Sequence, residues 1–152
     1  MMPLLYIAAS KTLSRWGGDV GLGKQIFKIG LAADAAGLSD WLLSGACQCG
    51  DWTLARQQDV LSSGEDAFFQ ALAVKEKLVD PALYPRLRGE SGIVRVQQGR
   101  VENFKLSQLA LKGEQPDKVS VRQSDIISYL LEQALKAVAA AQGSALAYPS
   151  RR

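Results

Sequence analysis

Two short apolar runs, LLYIAAS at 4–10 and QIFKIGLA at 25–32, lie one glycine-rich segment apart. Each carries the β-branched and aromatic residues that suit a pleated, half-buried surface, and each is short for a core helix. Strands that follow one another across a loop are expected to pair antiparallel. Lys28 interrupts the second run and is expected on an open face of the sheet. The intervening KTLSRWGGDVGLGK (11–24) reads as a loop by composition. Within it, GDVGLGKQ (18–25) has the glycine and lysine spacing of a phosphate-binding loop, with glutamine where serine or threonine would hold magnesium. Such a loop aims its amides from the N-terminus of the helix behind it. Here a strand follows, so the segment is expected to bridge two strands and to bind no phosphate.

Farther along, DAAGLSDWLLSG (34–45) has Leu38, Trp41 and Leu42 at helical spacing, Asp34 as N-cap and Gly45 as stop. DWTLARQQDV (51–60) reads as a third strand with Trp52, Leu54 and Val60 inward. SSGEDAFFQALAVKEKLVD (62–80) reads as a helix capped by Ser62 or Ser63. Phe68, Phe69, Leu72, Val74 and Leu78 crowd one side of it, and Lys75, Glu76 and Lys77 face water. PALYPRLRGESG (81–92) is an irregular basic loop. IVRVQQGRVENF (93–104) reads as a hairpin around Gly99, with a helix from near Val101 as the alternative. SDIISYLLEQALKAVAAA (124–141) predicts a long amphipathic helix capped by Ser124. The class is therefore α+β: a small three-stranded antiparallel sheet flanked by helices, plus a C-terminal hairpin and the long helix. Residues 1–112 form the core domain, 113–143 a connector and packed helix, and 144–152 a flexible tail.

Composition narrows the chemistry. The chain has 152 residues and 47% apolar content, enough for one core, with a formal net charge of +3. It has no histidine, which excludes a Ser-His-Asp mechanism, a Cys-His nucleophile and His-bearing zinc sites. The only cysteines, Cys47 and Cys49, are separated by one residue. That is awkward for a disulfide and two ligands short of a structural zinc site, so they read as loop residues in a reducing cytoplasm. No apolar run reaches bilayer length, and the N-terminus has no basic leader before its apolar stretch.

With LLYI on the first strand and FKIG on the second, the chain resembles the GIY-YIG superfamily, in the phage and bacterial branch whose second motif reads KIG. The resemblance covers roughly residues 4 to 97. It implies a three-stranded antiparallel sheet flanked by helices, with Tyr6 and Lys28 as site residues. Nucleases of that family use a tyrosine, an arginine on the first helix, and a metal-binding glutamate on a later helix. DAAGLSDWLLSG holds no arginine. The glutamate position falls on Phe69 of AFFQAL, with Glu65 one turn earlier. Tyr6, Lys28 and Glu65 are thus the catalytic candidates of a degenerate site, and magnesium is implied only if cleavage is retained.

The second candidate surface is basic. Arg86, Arg88, Arg95 and Arg100 lie close in the chain, offset there only by Glu90. Folded together they would make a cationic strip for a phosphate backbone, with Tyr84 for stacking. The expected function is a cytoplasmic DNA- or RNA-binding accessory of phage, mobile-element or regulatory type that does not cut. The alternatives are a protein-interaction module using Trp16 and the last helix, and a metal-dependent endonuclease. The wide apolar stripe of 124–141 suggests a homodimer through that helix.

Overall fold

The first strand, β1 (Leu4–Ala9), runs between β2 (Ile26–Ala32) and β3 (Thr53–Asp59), antiparallel to both. The computed structural model describes residues 3–23, 25–60, 65–114 and 120–146, with side chains of the last helix to position 141. Two further strands, β4 (Lys77–Leu78) and β5 (Ile93–Arg95), extend the sheet past β2. Its order is β3-β1-β2-β5-β4, five strands rather than three. The class is α+β as expected. Among the described residues no helix is long and apolar enough to cross a membrane.

The expected hairpin over 93–104 does not form. Ile93–Arg95 pairs with β2 on one side and β4 on the other, so its backbone groups are satisfied without a partner from 101–104. The second half becomes helix α4 (Gln98–Leu111), which buries Val101. Gly99 sits in its first turn rather than at a hairpin tip.

The segment 11–24 also departs from expectation. Helix α1 (Lys11–Asp19) occupies most of it. Ser10 caps the helix, accepting from the Leu13 amide at 3.1 Å. Asp51, arriving from the start of the third-strand segment, accepts from the Thr12 amide and hydroxyl, each at 3.0 Å. Gly17 is buried where α1 crosses β2, and a Cβ there would stand 2.2 Å from Ile26 Cδ1. Its glycine is thus a helix–strand packing residue, which composition alone reads as a loop. Beyond α1 the chain enters β2 with no helix behind the glycines, as expected; Lys24 lies outside the described residues.

The sheet separates two cores. Leu5, Ile7, Phe27, Ile29, Leu31 and Val94 point to one face. They meet α3 (Glu65–Ala73), α4 and α5 (Gln123–Leu146) through Phe68, Leu72, Val101 and Leu130. Leu4, Tyr6, Ala8, Ile26 and Ile93 point to the other face, under α1, α2 (Ala35–Leu42) and the 3-10 turns at Ala46–Gln48 and Pro85–Leu87. Asp34 caps α2 as expected, accepting from Gly37 N at 2.8 Å. Each fully buried aliphatic or aromatic side chain is worth about 1.5–3 kcal/mol over exposure.

Three smaller expectations are corrected. Helix α3 ends at Ala73, because the pairing of β4 with β5 takes over; Val74 is 79% exposed and Glu76 is buried. Leu54 is turned outward on edge strand β3. Ser124 lies inside the first turn of α5, where the Asp125 carboxylate accepts from the Arg122 amide at 2.8 Å. Both apolar flanks of α5 are covered by the chain's own core: Ile126, Ile127, Leu130 and Ala134 are buried, with Leu131 and Leu135 packed beside them. Ser62 and Ser63 lie outside the described residues, and α5 continues through Leu146, into the expected tail.

Candidate functional site

Tyr6 of β1 stands directly opposite Gly30 of β2. A Cβ at Gly30 would lie 2.7 Å from the Tyr6 hydroxyl oxygen, so the phenol ring can cross the neighbouring strand only over a glycine. Trp41 of α2 packs on Tyr6 with centroids 5.4 Å apart, and Trp52 packs on Trp41 at 4.8 Å. Trp52 is fixed from behind by its indole N–H, donated to Ala46 O at 2.8 Å.

Beside this aromatic stack lies Lys28, two residues before Gly30. It was expected on an open face but is buried, because the loop before β5 closes over it. Its ammonium pairs with Glu90 at 3.3 Å and donates to the Ser91 carbonyl. It also stands 5.6 Å from the centroid of the Trp41 ring and 5.7 Å from that of Phe69. The Glu90 oxygens accept in turn from the Trp41 indole N–H at 3.2 and 3.3 Å. Glu65 comes in from the first turn of α3 and accepts from the Leu31 amide at 3.1 Å.

These groups line one open cleft of about 370 Å³, formed by Tyr6, Lys28, Trp41, Glu65, Glu90 and neighbouring backbone. The three catalytic candidates, distant in sequence, therefore share a wall. Among the described residues, no arginine lines the cleft. The Tyr6 hydroxyl is pushed well above the ordinary tyrosine range by burial first, then by Glu65 and Glu90. It stays protonated at neutral pH and can donate a hydrogen bond, but it cannot serve there as a base.

The arginines do not form one strip. Arg86 donates to the carbonyls of Cys47 and Gln48 at 3.1 and 3.3 Å, and its guanidinium sits 5.8 Å from the Trp16 ring centroid. Tyr84 meets Trp16 edge-on at 5.5 Å, so both aromatics are packing partners at the rim of the second core. Arg95 donates to Leu22 O at 3.2 Å on that same face. Arg100 lies across the sheet, donating to the Tyr129 hydroxyl at 2.9 Å and standing 3.7 Å from the buried Glu76. Arg88 is exposed in the loop that leads to Glu90.

Cys47 and Cys49 are free and buried. Burial, ahead of Glu90 and the neighbouring Cys49, pushes the Cys47 thiol up to about 12, which favours its protonated form at neutral pH. Among the described residues, no three or more Cys, Asp or Glu side chains gather where they could hold a metal ion.

Sequence reasoning missed Glu90 and Trp41. Glu90 read as a lone acid offsetting arginines, and Trp41 as part of a helical core stripe. The signal available was the pairing of a single acid in a basic loop with a single lysine in an apolar strand. Compared with protein-family models, curated proteins and solved structures, the chain matches none of them.

Proposed function

We propose that this chain is a nucleic-acid-binding protein built on a degenerate GIY-YIG-like core, which engages a phosphodiester backbone at the Tyr6–Lys28–Glu65 cleft without cutting it. The observation that carries the reading is the convergence of those three residues on one solvent-open cleft. The absence of cleavage follows from the same chemistry. Tyr6 is held protonated, Lys28 is paired with Glu90, and among the described residues no guanidinium lines the cleft to offset charge on a reacting phosphate. Arg88, exposed in the loop that carries Glu90, supplies backbone charge beside it.

A mobility shift at two salt concentrations tests this. Affinity should fall steeply with salt, and Arg88→Ala should weaken binding uniformly across sequences and flatten the salt slope by about one. Complexes insensitive to salt would remove the reading.

A second reading is favoured by Glu65 lying in the same cleft as Tyr6. In a metal-dependent endonuclease, Glu65 would be the carboxylate for a hard divalent cation, which accepts one or two protein carboxylates beside substrate phosphates. Nicking of plasmid with magnesium or manganese, abolished by Glu65→Ala, would establish it over binding alone.

A further inference from the structure

The cleft already holds an anion of the chain's own. Lys28 is rooted in an inner strand with its side chain 5% exposed, whereas Glu90 is 21% exposed and sits at the mouth. Burying an ammonium without an anion beside it is strongly unfavourable. The two Glu90 oxygens meet that requirement, one of them at 3.3 Å from Lys28 Nζ and both within reach of the Trp41 indole N–H.

We propose that the Glu90 carboxylate is the internal occupant of an anion position made by Lys28 Nζ and the Trp41 indole N–H, and that a phosphate group of a ligand takes this position by displacing it. The inference rests on the reading that the cleft meets nucleic acid, and it adds which group receives the phosphate and what opposes it. A carboxylate and a phosphate both present two oxygens to a pair of N–H donors, so one donor arrangement serves either. Access favours exchange. Ser91 and Gly89 on either side of Glu90 are exposed, so the carboxylate can swing outward with little loss of core, while Lys28 stays fixed by its strand. Charge makes the exchange a gate. With Lys28 at +1 and Glu65 and Glu90 at −1 each, the cleft lining carries −1 in all. It therefore repels a phosphate until the Glu90 charge leaves, and removing that charge brings the lining to zero.

Glu90→Gln tests the exchange, since it keeps an oxygen acceptor for Trp41 and removes the charge. Binding is read as fluorescence anisotropy of a labelled single-stranded DNA, with inorganic phosphate as competitor, with and without magnesium. The variant should bind DNA about tenfold tighter than the unmodified protein, a typical worth of one charge-assisted hydrogen bond. Lys28→Met in the Glu90→Gln background should erase the gain. Equal DNA affinity of the unmodified protein and Glu90→Gln overturns the displacement and leaves the nucleic-acid reading standing. Phosphate binding to Glu90→Gln without DNA binding overturns the nucleic-acid reading and keeps the anion position. Binding of neither probe by either protein, with circular dichroism showing the variant folded, overturns both. Should the variant not fold, NMR of the unmodified protein decides: a Trp41 indole N–H resonance that moves on phosphate titration supports the exchange, and one that stays put overturns it.

Discussion

The two faces of the sheet are built from neighbouring residues of the same strands, yet they do different work. The face under α3, α4 and α5 is sealed by aliphatic and phenyl side chains. Its buried carboxyl, Glu76, is tied to the Tyr129 hydroxyl and faced by Arg100. The face under α1 and α2 carries three tryptophans, two thiols, Lys28 and the open cleft. Alternation along a strand sends successive side chains to opposite faces, so Phe27 and Ile29 enter the sealed core while Lys28 between them enters the cleft. A small domain can thus anchor its stability on one side of a sheet and leave the other side free to hold polar groups.

The sharpest way to break that division is to empty the sealed side. Leu130→Ala removes a fully buried side chain from α5 and should cost about 3 kcal/mol in urea unfolding. DNA binding of the folded fraction should be unchanged; a parallel loss of both would show the faces to be one unit. Next in size is Gly30→Ala, whose new methyl would collide with the Tyr6 ring. It should cost about 2 kcal/mol as an overpacking change. It should also shift the tryptophan emission, because Tyr6 rests on Trp41.

Smaller effects separate the faces by pH. Glu76 has its carboxyl raised above the ordinary range, by burial first and against the Tyr129 hydrogen bond and Arg100. The stability of its protonated form is complete below the ordinary glutamate range and is lost as pH rises through the raised value. Any advantage of Glu76→Gln over the unmodified protein should therefore grow from acid toward neutral pH. Asp51, on the cleft face, has its carboxyl lowered, chiefly by the Ser10 hydroxyl and then by the Thr12 amide and hydroxyl. Its contribution is present above the ordinary aspartate range and is lost as pH falls through the lowered value. Asp51→Ala should cost at most about 1 kcal/mol at neutral pH, and less in acid. Amide exchange near α1 that ignores Asp51→Ala would remove its role as a tie for that helix.

Local pattern served well where period and caps agreed. The β1–β2 pair, the Asp34 cap, the third strand and the long last helix were all legible. Pattern misled where a partner distant in sequence settled the outcome. Gly17 read as loop because its value lies in a close approach to β2. The run Val94-Arg95-Val96 invited a hairpin because its true partners, β2 and β4, precede it in the chain. In the site, Tyr6 and Lys28 were legible through two short motifs, with Lys28 expected exposed, and Glu65 only as the acid one turn before the position that the resemblance assigns. Glu90 could be reached only by pairing the lone acid of the basic loop with the lone lysine of an apolar strand, since nothing adjacent in sequence shows that its loop folds over β2.

The order of side chains along each strand and helix settled which residues are apolar together, and hence an α+β chain with a sheet as its centre. Burial of Lys28, its pairing with Glu90 and the meeting of Tyr6 with Glu65 came only with tertiary structure. Each depends on how far apart two distant backbones finally lie, and charges and hydrogen bonds act over a few ångströms that sequence spacing does not measure.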